Sequence, residues 1–503
     1  MSHMKIVRVS LLLIIALIIC MADYTSVQFS QVSCLEVMVL SDEDEVNCRE
    51  LTDIDLSTSF LFKSEPAAVD QKSRTIYISQ RISENMHFQD LEGALTLAYK
   101  DFRLYFAPDP NFSDLKSAIA NGHRFRLLAV NPDGKYIEYY VVFTALPVIH
   151  LFEHTSGNGW NFTGNFCLWT PDDPEHLRYS VKTSSAAWHV RGGATTVMPK
   201  KSWKLTLTSK GASSGLSLLG LGKDDDWILN GMSLDDTALK EQLFMMLWNQ
   251  MASETPYDYP MSTGEYVEVI VNQEYQGIYL LQRRIDNRYL DLPADSILVK
   301  GLKTHKLEEI QNNYEIVHSP FSDEDTYPLL EDIWNGDCSM FDIDNFVDVS
   351  LFLHFASATD NSYIKNIFYV LNNTPSGYAL SLIPWDTDMS FGVVWGDGGF
   401  SYNYERSMDR VARRMEFDSM AEIHPDLYNR LASRWQELRK TVLSEENILS
   451  ELSRLEAQLA DSSVPVRESQ RWDKYYGGND TVENLYRYIH EKLPLIDAYY
   501  AQY

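Results

Sequence analysis

What the sequence lacks narrows it first. Its five cysteines include no Cys-x-x-Cys pair, so neither a zinc site of the usual spacing nor a dithiol redox motif is supported. Basic residues are scarce beside acidic ones, 43 against 71, and a net charge of −28 is the wrong footprint for gripping a phosphate backbone. Nucleic acid is therefore not expected as a partner. A GxxxxGK[ST] loop and a kinase-type GxGxxG are both missing, so the common nucleotide fingerprints are absent. No internal repeat or low-complexity tract stands out.

What is there reads as a well-packed globular chain, 45% apolar and 12% aromatic over 503 residues. At roughly 150 residues per domain, about three units are expected. Lys5 and Arg8 precede the apolar run Leu11 to Cys20, and Cys20-Met21-Ala22 supplies small residues at a cleavage site. That pattern predicts a secretory signal over 1–22 and an extracytoplasmic destination, secreted or at a cell surface or envelope. An uncleaved signal acting as anchor is the alternative, although the run falls short of the ~20 residues of a bilayer-crossing helix. Lipidation of Cys20 is disfavoured by the bulky Ile19 before it. In an exported protein Cys34 and Cys48 are placed for a local disulfide, with unpaired thiols as the other reading.

Residues 23–60 are acidic and polar, "SDEDEVNCRE" among them, and read as a leader or linker. From 61 to 146 short β-branched and aromatic runs alternate with turn residues, including two strands around Asn131-Pro132-Asp133-Gly134. This predicts a small β-sandwich of immunoglobulin-like type. From 147 onward strands and helices mix, giving an α+β domain. "WKLTLTS" at 203–209 and a hairpin over 265–282 turned by Asn272-Gln273-Glu274 read as strands. Helices are predicted over 235–252, with Asp235 as N-cap, and over 344–360, ending at Asp360. Beyond about 422 the chain reads as helical to its end.

Three clusters carry chemistry. Arg191, Gly192 and Gly193 precede Lys200, Lys201 and Lys204, a cationic group beside a flexible turn that suits an anion such as phosphate, or else flanks a solvated strand edge. Asp360 and Asn366 stand six residues apart before a strand, the pairing of carboxylate base and metal-binding amide that phosphoryl transfer uses, or a pair of turn hydrogen bonds. Asp386 and Asp388 alternate in "PWDTDMSFG", so both face one side if the segment stays extended, and two hard oxygen donors suit Mg²⁺ or Mn²⁺. His354, on an apolar helix, reads as a core histidine.

These blocks occur in one order, joined by "LPVI" at 146–149, "DDDWILNGMSLDDTALKEQLFMML" at 224–247 and "EVIVNQEYQGIYLL" at 268–281. Together they resemble the CotH kinase family, named for spore coat protein H, from about Leu146 to at least Gly392. The resemblance implies a reduced, atypical protein-kinase-like domain over 147–503 that transfers the ATP γ-phosphoryl group to side chains of a protein substrate. It implies Asp360 as catalytic base, Asn366, Asp386 and Asp388 as ligands of Mg²⁺ or Mn²⁺, and Arg191, Lys201 and Lys204 as phosphate contacts. One departure accompanies it. Where relatives carry an acidic residue after the "GIYLL" strand, this chain has Gln282, Arg283 and Arg284, which would pass that role to Glu265, Glu268 or Asp286 or leave a non-catalytic surface or envelope protein. A metal-dependent phosphoester hydrolase is a third reading, set back by the absence of a histidine-rich cluster.

Overall fold

A computed structural model describes residues 33–34, 49–51, 54–80, 94–99, 102–107, 109, 111–112, 115–155, 161–173, 178–302, 309–331, 339–358, 360–361, 365–396, 399–409 and 417–503. The expected signal 1–22, most of the segment 23–60, and Cys48 and Cys338 lie outside them. The chain divides into two compact units, one of 1–77, 83–115 and 123–142 and the other of 78–82, 116–122 and 143–503.

The first unit is built of short strands, mostly antiparallel, with Arg49–Glu50 pairing parallel to Lys135–Thr144. Its larger sheet runs Ala68–Asp70, Thr75–Ser79, Lys135–Thr144, Phe125–Val130 and Arg103–Ala107 in spatial order. The expected hairpin around Asn131 is present. The Asn131 side-chain oxygen accepts the Asp133 and Lys135 N–H groups at 3.1 and 2.8 Å, fixing the reversal as an Asx turn. A smaller sheet joins Leu95–Leu97 to Phe60–Phe62.

In the second unit the strands β1 (Val148–Thr155), β2 (Asn161–Asp173), β3 (Arg178–Arg191), β4 (Ser202–Ser209), β5 (Asp226–Asn230), β6 (Gly264–Val271) and β7 (Glu274–Arg283) form one sheet. Its order is β3-β2-β1-β6-β7-β5-β4, and β4 pairs back onto β3, so the sheet closes into a barrel without free edges. Alternation along each strand decides what fills it. Trp188, Trp203, Leu205, Trp227, Leu229, Val267, Val269 and Leu281 form one buried cluster, while their neighbours His189, Lys204, Ile228 and Gln282 take the outer face. The β6–β7 hairpin turns on Asn272 and Gln273, both at positive φ of 50° and 59°, the conformation a tight turn between twisted strands demands. Gly277, at φ 88° beside a bulge, is irreplaceable for space: a Cβ there would sit 1.9 Å from a Glu468 oxygen.

Outside the barrel lies helix α1 (Lys240–Ser253), five residues later than the sequence predicts its start. Asp235 does not cap it as first residue. Its carboxylate instead accepts the Thr237 N–H and hydroxyl and the Lys240 N–H, at 3.1, 2.6 and 2.8 Å, bracing the turn that leads in. A second sheet, ordered β9-β8-β10-β11, comprises β8 (Ile297–Leu302), β9 (Tyr314–His318), β10 (Lys365–Thr374) and β11 (Gly377–Pro384). Helix α2 (Ile343–Ala356) packs on it, capped by Asp342 through the Asp344 and Asn345 N–H groups. It stops at Ser357 in the left-handed conformation, so Asp360 stands beyond the helix and not at its end. The C-terminal part is helical as expected: α3 (Leu427–Leu438), α4 (Glu445–Asp461), α5 (Val464–Arg471) and α6 (Val482–Tyr500). Their apolar faces join α1, α2 and the second sheet in one core around Trp248, Phe352, Trp435 and Tyr488. Overall the chain is α+β.

Candidate active site

The end of α2, the start of β10 and the end of β11 meet at one point because buried amides tie them. Asn361, 2% exposed, donates its side-chain amide to the Asn366 carbonyl at 2.9 Å and to the Trp385 carbonyl at 2.7 Å. Trp385 N–H in turn reaches the Asn366 carbonyl at 3.0 Å. Asn366 and Asp386 both sit at positive φ, 54° and 55°, which Asn and Asp tolerate best among residues bearing a Cβ. Such left-handed backbone persists only where its surroundings over-determine it, and here they do. The chain then returns to the helix: Phe391 N–H donates to the Ala356 carbonyl at 2.8 Å.

These constraints bring the sequence-chosen carboxylates together, by a different route from the one expected. β11 ends at Pro384, so Asp386 and Asp388 do not share the face of a strand. The loop brings them into mutual influence all the same. Burial, then Asp386, Glu241 and Asp360 in turn, hold the Asp388 carboxyl well above the ordinary carboxylate range. Asp360 Oδ2 accepts a hydrogen bond from Lys365 Nζ and another from Asn366 Nδ2 at 3.1 Å. Asn366 also donates to the Asp386 carbonyl at 3.4 Å, which leaves its amide oxygen out of this network.

Glu241 is the carboxylate that sequence reasoning missed. It lies in the first turn of α1, 3% exposed, with Oε2 accepting from Asn230 Nδ2 at 2.7 Å and Oε1 from Gln282 Nε2 at 3.0 Å. Burial, then the charge of Asp386, pushes its carboxyl up to about 7. A glutamate on an amphipathic helix looks solvated in sequence; only the outward side chains of β5 and β7 enclose it.

The arginines after "GIYLL" divide by strand alternation. Gln282 points outward to Glu241, whereas Arg283 shares the side of Trp227 and binds the Asp224 carboxylate at 2.7 Å. Arg284 approaches Asp226 and Glu315 at 3.5 and 3.6 Å. None of the three acids suggested as substitutes joins the cluster. Glu268 is paired with buried Arg467 at 2.8 Å, Asp286 with Arg288 at 3.3 Å, and burial raises the Glu265 carboxyl with only Arg454 acting against it.

The cations divide likewise. Arg191, at the end of β3, influences Glu241. Lys204 pairs with Asp226 at 3.0 Å on the barrel exterior, and Lys201 Nζ donates to the Thr196 carbonyl at 2.7 Å. Lys200 is buried, bound to Glu468 and to the Ile278 carbonyl, each at 2.5 Å. His354 is buried as expected, with Nδ1 2.8 Å from the Tyr500 hydroxyl.

Among the described residues no three His, Cys, Asp or Glu side chains converge closely enough to cage a metal ion by themselves. The donor chemistry nevertheless fits Mg²⁺, which takes one or two carboxylates and completes its shell with phosphate oxygens and water. Asp386, Glu241 and Asp360 all act on buried Asp388 and drive it toward its neutral form, an excess of negative charge that a divalent cation would relieve.

A family model described as CotH kinase protein matches residues 188–494, well over half the chain. The match takes in the Arg191 turn, the four acids and nearly all of the C-terminal helices. No curated protein matches the sequence.

Proposed function

This chain belongs to the CotH kinase family, and from that premise we propose that it is an exported atypical protein kinase, transferring the γ-phosphoryl group of ATP to side chains of a protein with a divalent metal. The observation that carries the reading is the convergence of Asp360, Asn366, Asp386 and Asp388 at one loop cluster, joined by buried Glu241. Export rests on the N-terminal pattern of Lys5, Arg8 and Leu11 to Cys20.

In this reading Asp360 is the base. Lys365 and Asn366 hold Oδ2, so the carboxylate is oriented with its other oxygen left to take the proton of a substrate hydroxyl. Asp386, Asp388 and the Asn366 amide oxygen would hold Mg²⁺ or Mn²⁺, which supplies charge neutralisation at the transferring group. Arg191 faces the same cluster from the barrel as a phosphate contact. Phosphoryl transfer asks chiefly for position and charge compensation, and a site of fixed acids and cations on braced backbone supplies both.

The test is transfer of labelled γ-phosphate by the purified chain with Mg²⁺ or Mn²⁺, to itself and to generic protein acceptors, beside Asp360→Ala and Asp386→Ala/Asp388→Ala. Transfer that disappears in both variants supports the reading. Metal-dependent ATP binding without transfer to any acceptor would turn it toward a binding protein of the same family.

A further inference from the structure

Lys300 lies in the middle of β8, one strand away from β10, and was not marked by any motif. Its register partner on β10 is Phe368, two residues after Asn366. Its ammonium stands 5.8 Å from the ring centroids of both Phe368 and Trp385, and Trp385 immediately precedes Asp386. The side chain is half-buried, and its charged end has no hydrogen-bond or ion-pair partner among the described residues. The acid opposite it on β9, Glu315, is engaged by Arg284 at 3.6 Å. Burial lowers the Lys300 ammonium, Asp386 acts against that, and Arg191 adds to it.

A cation withdrawn from water without a paired anion is costly, and it persists where an anion is brought to it. Arg191 is its counterpart on the barrel side. It too lacks an ion-pair or hydrogen-bonded side-chain partner among the described residues, whereas Lys200 and Lys204 are paired with Glu468 and Asp226. The two unpaired cations act on two acids that influence each other, Arg191 on Glu241 and Lys300 on Asp386, and Arg191 also lies close enough to Lys300 to act on it. We propose that Lys300 and Arg191 together form the seat for the phosphate chain of a nucleoside triphosphate, with Lys300 reaching it over the faces of Phe368 and Trp385. This rests on the phosphoryl-transfer reading and places its lysine on the strand beside the catalytic strand, not in the cationic turn where the sequence suggests it. Aromatic walls hold an ammonium in place without neutralising it, so the charge stays available to phosphate oxygens.

The experiment is calorimetric titration of the full chain with Mg²⁺–ATP and, separately, with Mg²⁺–tripolyphosphate, for the parent protein, Lys300→Met, Lys300→Arg and the exposed control Lys223→Met. Loss of one charge-assisted contact is expected to weaken both ligands by about 10- to 100-fold in Lys300→Met. Lys300→Arg recovers most of that loss and Lys223→Met binds as the parent does. A folded Lys300→Met that binds ATP like the parent overturns the seat and leaves the kinase reading standing. Parent protein that binds tripolyphosphate through Lys300 but not ATP supports an anion seat and ends the kinase reading; binding of neither ligand overturns both. Should Lys300→Met fail to fold, Arg191→Met on the barrel exterior reads the same seat, and unchanged affinity there overturns it.

Discussion

Gln282 donates its side-chain amide to Glu241 at 3.0 Å, joining the end of barrel strand β7 to the first turn of helix α1. Asn230, from the neighbouring strand β5, holds the other oxygen at 2.7 Å. Both donors are neutral, so they hold Glu241 in place without neutralising it. The end of the "GIYLL" strand thus holds, through Gln282, an acid that comes from a different element.

Replacing Gln282 by Leu leaves the buried carboxylate one donor short. Stability is expected to fall by about 1–3 kcal/mol, the usual cost of an orphaned buried polar group. Urea unfolding of the parent and Gln282→Leu at equal pH measures it, and an unchanged midpoint would show that Glu241 does not depend on this contact.

Asp360→Asn keeps the size and hydrogen-bonding geometry of the side chain but cannot accept a proton. Transfer should drop by about 10²- to 10⁴-fold while the affinity for Mg²⁺–ATP stays within a few-fold of the parent. Single-turnover kinetics combined with equilibrium binding separate the two; equal losses in both would make Asp360 a binding residue instead of a base.

Lys240 and Asp480 form an ion pair at 2.6 Å with neither side chain more than 1% exposed. Asp480 also accepts the Asp236 N–H at 3.1 Å, so the pair fixes the entry to α1 against the segment before α6. Lys240→Met strands a buried carboxylate and is expected to cost about 3–5 kcal/mol. The double variant Lys240→Met/Asp480→Asn should recover much of that loss in chemical denaturation, because no uncompensated charge remains.

Asp258 gives a pH dependence of definite sign. Burial, then the charge of Asp348, raises its carboxyl to about 8, while Asp348 itself is engaged by Arg434 at 2.8 Å. Between pH about 4, the ordinary carboxylate value, and about 8 the folded chain holds a proton that the unfolded chain has released. Its contribution to stability is thus complete below that window and is lost as pH rises through it, by up to about 1.4 kcal/mol per pH unit. Asp258→Asn, which mimics the protonated form, should lack this slope. Melting temperatures of parent and variant at pH 5 and pH 8 test it, and parallel behaviour would exclude Asp258 as the source.

Much of the strand pattern was legible because alternation is a local property. The "WKLTLTS" strand and the hairpin at Asn272 follow from β-branched and aromatic residues between turn formers, and lie where these require. Helix beginnings were less legible. Asp235 has the composition of an N-cap, yet its carboxylate is taken by a turn with its own hydrogen bonds, and α1 starts at Lys240.

By itself the sequence determined the α+β class, the family, the helical C-terminal part and the candidacy of Asp360, Asp386 and Asp388, though not of Glu241, since these depend on residue type and short-range spacing. Only the tertiary structure decided that the strands close into a barrel, that Gln282 and not Arg283 faces Glu241, and that Lys300 stands over Trp385 beside the acids. Each of these depends on pairing between strands far apart in the chain. A shift of one residue in that pairing would send every side chain to the other face, and no local pattern specifies it.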